Sequence, residues 1–191
     1  MKKEKRQKCN YWFFSPQIIT DSGIIPDDSF KSTGQASISG IDYVVYNDKW
    51  SNHVQHILHE EVHLLVMCEV GEAPSLFNEG IAVYTESLIY NGKESFYKVC
   101  SDIWKKNVAT KKGIIRKLMS NEFFWNNYGN MPAYTIGAAL INYIVEYYKI
   151  DLIKDIFENT NFWDNKFDCV VESKIGFSVD ALELKASAFY V

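Results

Sequence analysis

The stretch His59-Glu60-Glu61-Val62-His63 is the most informative part of the sequence, because it reads H-E-x-x-H. Two histidines four positions apart lie one above the other on the same face of a helix, close enough to hold one metal ion. The glutamate after the first histidine then lies beside that ion, where a general base for a water molecule is needed. The stretch therefore predicts a helix that carries two metal ligands and a base.

The predicted helix carries its metal-binding residues and its apolar residues on different faces. On an ideal helix, with about 100° per residue, both ligand histidines and Glu60 share one sector with His56. The apolar residues lie on another face and form the predicted core stripe: Val54, Leu58, Val62 and Leu65. His56 is expected to line the cleft or to support a ligand, His53 to lie at the surface, and Glu61 to point away from Glu60.

Glu79 is the predicted third ligand. A catalytic zinc site uses three protein ligands and keeps a fourth position for water. Glu79 lies sixteen positions after His63, where the run from Leu76 to Tyr84 predicts a second helix. Alone it would be a glutamate favoured by the helix dipole in a first turn. Together with His59 and His63 it is interpreted as a ligand.

The residues around Glu79 carry two further expectations. Asn78, directly before it, is expected to cap the second helix. Gly80 and Ala82, which follow it, are small enough to permit close approach of another helix beside the metal site.

The order of segments predicts one α+β domain over residues 1–191. Residues 1–48 form the β-rich part, a small N-terminal sheet with its best strand at 41–46 and weaker candidates at 17–20 and 35–39. Residues 49–191 form a larger helical part. Its helices are expected at about 50–69, 78–90, 94–108, 111–119, 132–148, 150–158 and 178–189, with Ser178 as the N-cap of the last one.

Composition narrows the class of protein. Hydrophobic residues make up 47% and charged residues 23% of 191 residues, a balance that is typical of soluble globular domains. The net charge of -4 lacks the basic surface that nucleic acids require, so no nucleic-acid partner is expected. No run reaches the length of a membrane span, and the four cysteines form no C-x-x-C pair, so a cytoplasmic protein without a membrane partner is expected.

The motifs resemble those of the gluzincin metallopeptidases, the clan of thermolysin-like and aminopeptidase-like enzymes. An H-E-x-x-H helix is followed by Asn78-Glu79-Gly80-Ile81-Ala82-Val83-Tyr84, and Tyr134-Thr135-Ile136-Gly137 resembles the Y-x-x-G helix of peptidase-MA-like proteins. The likeness is strong over residues 56–86 and diffuse over the rest of 40–191. It implies a zincin-like fold, a zinc ion held by His59, His63 and Glu79, and a peptide or protein substrate.

The resemblance also implies roles for two catalytic residues. Glu60 would take a proton from the zinc-bound water and pass it to the leaving amine. Thermolysin-like enzymes stabilise the oxyanion with a histidine, but none follows His63. The aminopeptidase-like members use a tyrosine, and Tyr134 is the corresponding candidate; its alternative role is packing.

One departure weakens the likeness. Similar families carry an acidic residue four positions after the glutamate ligand, where it orients the first histidine. Here that position holds Val83, and Glu86 is the substitute on nearly the same helix face. The clan also aligns its substrates along an edge strand, for which 41–46 and 35–39 are the candidates.

Three functions remain open at the level of sequence. The first is a zinc peptidase that hydrolyses peptide bonds by Glu60-assisted attack of water. The second is a catalytically weak or inactive domain that keeps zinc and acts as a binding module. The third is a helical protein without metal, in which the histidines and Glu79 coincide by chance. The sequence indicates neither cleavage specificity nor oligomeric state.

Overall fold

The computed structural model describes residues 10–14, 35–36, 41–45, 53–127, 132–161 and 166–191. Side chains are described from Leu58 onward within these ranges, except that of Cys68. The strand candidate at 17–20 and the side chains of His53, Val54 and His56 lie outside the described residues. By its internal contacts the chain divides into two units, Met1–Cys68 and Glu69–Val191. The prediction of a single domain over 1–191 stays a prediction.

The first unit contains three short strands and most of one helix. The strands are β1 (Asn10–Phe14), β2 (Gln35–Ala36) and β3 (Ile41–Val45), in the order β1-β3-β2. β1 pairs with β3 in parallel from Asn10↔Ile41 to Phe14↔Val45, and β2 pairs with β3 antiparallel. The predicted strand at 41–46 is therefore central in this sheet rather than at its edge. Helix α1 (His53–Glu69) follows.

The expectation of an α+β fold is wrong, because the structure is helical. Among the residues whose side chains are described, 83% are helical and none lies in a strand. The strand pattern in 35–46 predicted local backbone conformation, but two five-residue strands and one two-residue strand are too small to form a layer of the fold. Local alternation does not decide fold class, which depends on the elements that build the core.

The second unit is built entirely of helices over its described residues. They are α2 (Ser75–Asn107), α3 (Ile114–Leu118), α4 (Asn121–Asn127), α5 (Ala133–Asn159), α6 (Phe167–Ile175) and α7 (Val179–Tyr190). The predicted N-cap is confirmed, since Ser178 Oγ accepts a hydrogen bond from the Ala181 N–H. α4 and α6 were not predicted. α4 spans only seven residues, and the adjacent valines of α6 favour strand as much as helix.

Two breaks inside the long helices fall where the sequence predicts them. α2 is interrupted at Gly92, with φ 71° and ψ 162°, between the helices expected at 78–90 and 94–108. α5 is interrupted at Lys149, with φ 69° and ψ 168°, between those expected at 132–148 and 150–158. Glycine adopts this backbone conformation readily, whereas lysine does so only under strain.

The core of the second unit lies between α2 and α5, which touch backbone to backbone. A Cβ atom added to Gly80 would lie 2.6 Å from the carbonyl carbon of Gly137, and one added to Gly137 would overlap the carbonyl oxygen of Leu76. The close helix approach expected of Gly80 is therefore confirmed, and its partner is α5. That this approach lies beside a metal stays a prediction. Leu76, Phe77 and Ala82 are fully buried beside the crossing.

The C-terminal helix is held by buried polar groups. The Tyr190 hydroxyl donates to the Ala139 carbonyl at 2.8 Å and accepts from Asn142 Nδ2 at 2.9 Å. Ser101 Oγ donates to the Tyr190 carbonyl, and Trp104 Nε1 donates to Ser187 Oγ. Because buried polar atoms without partners cost free energy, these pairs give α7 one position against α2 and α5.

Helix α3 is joined to α7 by Glu183. Its two carboxylate oxygens accept the backbone N–H groups of Gly113 and Ile115, each at 2.8 Å, so they cap the free N–H groups at the start of α3. Arg116 adds ion pairs to Asp168 on α6 and Asp180 on α7. Over its described residues, the chain has no helix that is both long enough and apolar enough to cross a bilayer.

The crossing of α2 and α5 leads to a prediction about stability. Gly137→Ala places a methyl group against backbone atoms that cannot rotate away, so the free energy of unfolding should fall by about 2–4 kcal/mol in urea denaturation. Gly176→Ala is the control, because nothing lies within 4 Å of its Cβ position and only the φ of +78° opposes it. That control should cost about 1 kcal/mol. Equal losses in both variants would contradict the close packing.

The strain at Lys149 leads to a second prediction. Lys149→Gly should raise the free energy of unfolding by about 1 kcal/mol, because relief of backbone strain exceeds the entropy that glycine adds to the unfolded chain. Lys149→Ala removes the same side chain and keeps the strain, so it should give no gain. Urea denaturation of the three proteins measures the difference, and a loss of stability in Lys149→Gly would refute the strain.

Candidate metal centre

Helix α1 carries His59 and His63 on one face. The residues are one helical turn apart, and their rings meet edge to face with centroids 4.8 Å apart and planes at 78°. Both side chains are half-buried. Neither side chain is therefore fully removed from solvent.

The packing of α1 differs from the predicted core stripe. Val62 is buried as expected, but Leu65 is 57% exposed, and Leu64 is buried in its place. Glu60 lies one turn before Leu64 and is itself only 9% exposed. The sequence predicted that the face carrying Glu60 would be open to solvent. In the structure, Glu60 and Leu64 on this side of the helix are both buried.

The start of α2 positions Glu79. The N-cap is Pro74, which has no side-chain capping bond, so the expectation that Asn78 caps this helix is wrong. Instead Asn78 Nδ2 donates to the Ala73 carbonyl at 2.7 Å, and Asn78 Oδ1 accepts from the Ala73 N–H at 3.3 Å. This pair folds the preceding loop onto the first turn of the helix, directly beside Glu79.

The structure brings the three predicted ligands together. His59, His63 and Glu79 each offer one ligand atom, and these atoms all lie within 4.8 Å of one another. Two imidazoles and one carboxylate are a donor set of catalytic zinc sites, and ligands of a tetrahedral zinc lie about 3.4 Å apart. The 4.8 Å limit is longer than this spacing, and all three side chains are half-buried. The donor types of the three residues fit a zinc ion.

Tyr134 lies in the first turn of α5 and is held by aromatic rings of α4. Its ring stacks on Phe124 with centroids 5.7 Å apart and planes at 13°, and Trp125 meets it edge-on at 6.2 Å. Tyr134 is half-buried, whereas Phe124 is fully buried. Sequence reasoning missed α4 and therefore these two contacts. The role of Tyr134 at an oxyanion stays a prediction.

Other residues near the motifs have simpler positions. Val83 and its predicted substitute Glu86 are both half-buried, and neither belongs to the ligand cluster. Tyr84, which ends the N-E-G-x-A-x-Y run, packs edge-on against Phe96 across the break at Gly92. Burial raises the pKa of Tyr84, and the Glu146 carboxylate raises it further, so this phenol stays neutral at physiological pH.

Comparison of the chain with protein-family models, with curated proteins and with solved structures gave no match in any of the three. The interpretation of the site therefore depends on its own residues and their geometry.

The cluster predicts one zinc ion per chain. Protein purified without a histidine tag should contain about one equivalent of zinc by atomic emission spectroscopy, and Glu79→Gln should weaken zinc binding at least tenfold in competition with a chelator. Glu61→Gln is the matched control, because Glu61 is next to Glu60 on α1 but outside the cluster. Zinc affinity that is unchanged in Glu79→Gln would exclude this ligand.

Proposed function

We propose that this protein is a zinc-dependent peptidase that hydrolyses peptide bonds in a peptide or protein substrate. The observation that carries the proposal is the convergence of His59, His63 and Glu79 within 4.8 Å, although Glu79 comes from a different helix. If the H-E-x-x-H sequence were a chance match, there would be no reason for a third metal-binding side chain to lie this close to the two histidines. The resemblance to gluzincin peptidases in the same residues supports the same reaction.

The proposed chemistry divides between the metal and the chain. When bound, zinc supplies a Lewis acid that polarises the scissile carbonyl and lowers the pKa of water to about 7. Glu60, adjacent to His59 on α1, accepts the proton of the attacking water and later delivers it to the leaving amine. The burial of Glu60 supports this role, because proton transfer is more effective in a site with little competing water. Tyr134 donates a hydrogen bond to the oxyanion.

A second function is favoured by one observation. Val83 occupies the position where similar families have a carboxylate that orients the first histidine, and a valine cannot accept a hydrogen bond. A domain that binds zinc but turns over substrate slowly or not at all, and acts as a binding module, fits this residue. Bound zinc with no hydrolysis of a diverse peptide library would favour this function over the first.

The proposal includes a cytoplasmic location. Cys100 and Cys169 are free thiols among the described residues, and Cys169 is exposed. Exposed free thiols are typical of proteins in reducing compartments.

The role of Glu60 gives the decisive prediction. Glu60→Gln keeps the size and hydrogen-bonding capacity of the side chain but cannot accept a proton, so zinc content should stay near one equivalent while kcat falls by about 10²–10⁴-fold. Hydrolysis of a peptide library, followed by mass spectrometry, measures the loss. Glu61→Gln again serves as the control and should retain activity. A Glu60→Gln variant that hydrolyses peptides at the rate of the unmodified protein would refute the mechanism.

A further inference from the structure

Helix α4 connects the two helices that carry the proposed ligand and the proposed donor. At its first residue, Asn121 Oδ1 accepts the backbone N–H of Ser75 at 2.9 Å. Ser75 is the first residue of α2, one helical turn before Glu79. The N–H groups of a first helical turn have no partner within their own helix, so Asn121 satisfies one of them and joins α4 to the start of α2.

One turn further along, α4 holds the ring of Tyr134. Phe124 is fully buried and covers one face of this ring, while Trp125 meets it edge-on. Contact at a face and from an edge restricts both the tilt and the rotation of an aromatic ring. The direction of the phenol is therefore set by α4 as well as by the backbone of α5.

The crossing of α2 and α5 brings the same regions together independently. Gly80, the residue after Glu79, touches Gly137. Tyr134 lies three positions before Gly137, so both lie on neighbouring parts of one face of α5. α4 thus spans from the start of the helix that carries Glu79 to the start of the helix that carries Tyr134.

We propose that α4 is the positioning element for the Tyr134 hydroxyl, with Asn121 as its anchor to α2. This inference rests on the proposed function, since it assigns to Tyr134 the hydrogen bond to the oxyanion. Asn121 and Phe124 touch no substrate; they act through Tyr134. Because a displacement of about 1 Å at a reacting group can cost about 10²-fold in rate, loosening α4 should lower kcat with little effect on KM.

The test uses acetohydroxamic acid, a small zinc ligand whose oxygens accept hydrogen bonds, with the zinc-loaded full chain in isothermal titration calorimetry. Tyr134→Phe should weaken its binding about tenfold, the effect of one lost hydrogen bond to a charged group. Asn121→Ala should weaken it about threefold or more. The double variant should bind no more weakly than Tyr134→Phe alone, because Asn121 acts only through the hydroxyl that is already missing.

Matched variants separate positioning from general damage. Asn121→Asp keeps an acceptor oxygen for the Ser75 N–H and should bind acetohydroxamic acid as the unmodified protein does. Asn127→Ala removes a hydrogen bond to the Phe123 carbonyl at the other end of α4 and should also leave binding unchanged. Phe124→Leu removes the ring stack while keeping the Asn121 bond, and it should also weaken the binding of acetohydroxamic acid. It replaces Asn121→Ala as the test if that variant does not fold.

Two results would overturn the inference. One is additive loss in the double variant, and the other is weaker zinc binding in Asn121→Ala, which would show that Asn121 acts through Glu79. The outcome for the proposed function is separate. If the binding pattern holds but no peptide is hydrolysed, the peptidase proposal fails and the positioning role stands. If peptides are hydrolysed and Tyr134→Phe weakens binding but the Asn121 variants do not follow the pattern, only the positioning role fails. If Tyr134→Phe binds as the unmodified protein does, the role of Tyr134 fails with it.

Discussion

The backbone contact between Gly80 on α2 and Gly137 on α5 is the constraint on which the second unit depends. Two helices normally cross at 8–10 Å because side chains separate them, and only residues without a Cβ allow the backbones to touch. Here each glycine occupies the space that the other's side chain would need. The crossing determines how Leu76 and Phe77 become buried, and therefore where the first turn of α2 presents Glu79.

Around this crossing, the rest of the unit is held by polar groups with specific partners. Glu183 caps α3, and the Tyr190 hydroxyl joins α7 to α5. Two buried groups of this unit, Cys100 and Tyr190, are also chemically inert. Burial raises the pKa of the Cys100 thiol to about 12 and also raises that of Tyr190, so neither is a nucleophile or an acid near neutral pH. Among the described residues, Cys100 and Tyr190 therefore serve the packing of the interior, and the proposed chemistry is assigned to the candidate cluster of His59, His63 and Glu79.

Two of the three residues of the candidate cluster could be predicted from the sequence because their relation to each other is local. His59 and His63 are related by one turn of helix, which follows from the spacing alone. The approach of Glu79 to the histidines depends on a tertiary contact. Its position at the start of the second predicted helix nevertheless made it the candidate for the third ligand. The breaks at Gly92 and Lys149 were also local and were predicted. The fold class was predicted wrongly, because strand patterns before His53 indicate backbone conformation without indicating what forms the core.

By itself, the sequence determined the residue types of the candidate centre, the helix that carries the histidines and the start of the last helix at Ser178. Only the tertiary structure decided that Leu64 rather than Leu65 is buried, that Gly80 meets Gly137, and that Asn121 and Phe124 of a short helix contact Ser75 and Tyr134. The reason is physical. Helical spacing relates residues three or four apart, whereas these contacts join segments tens of residues apart, and their geometry depends on how whole helices pack.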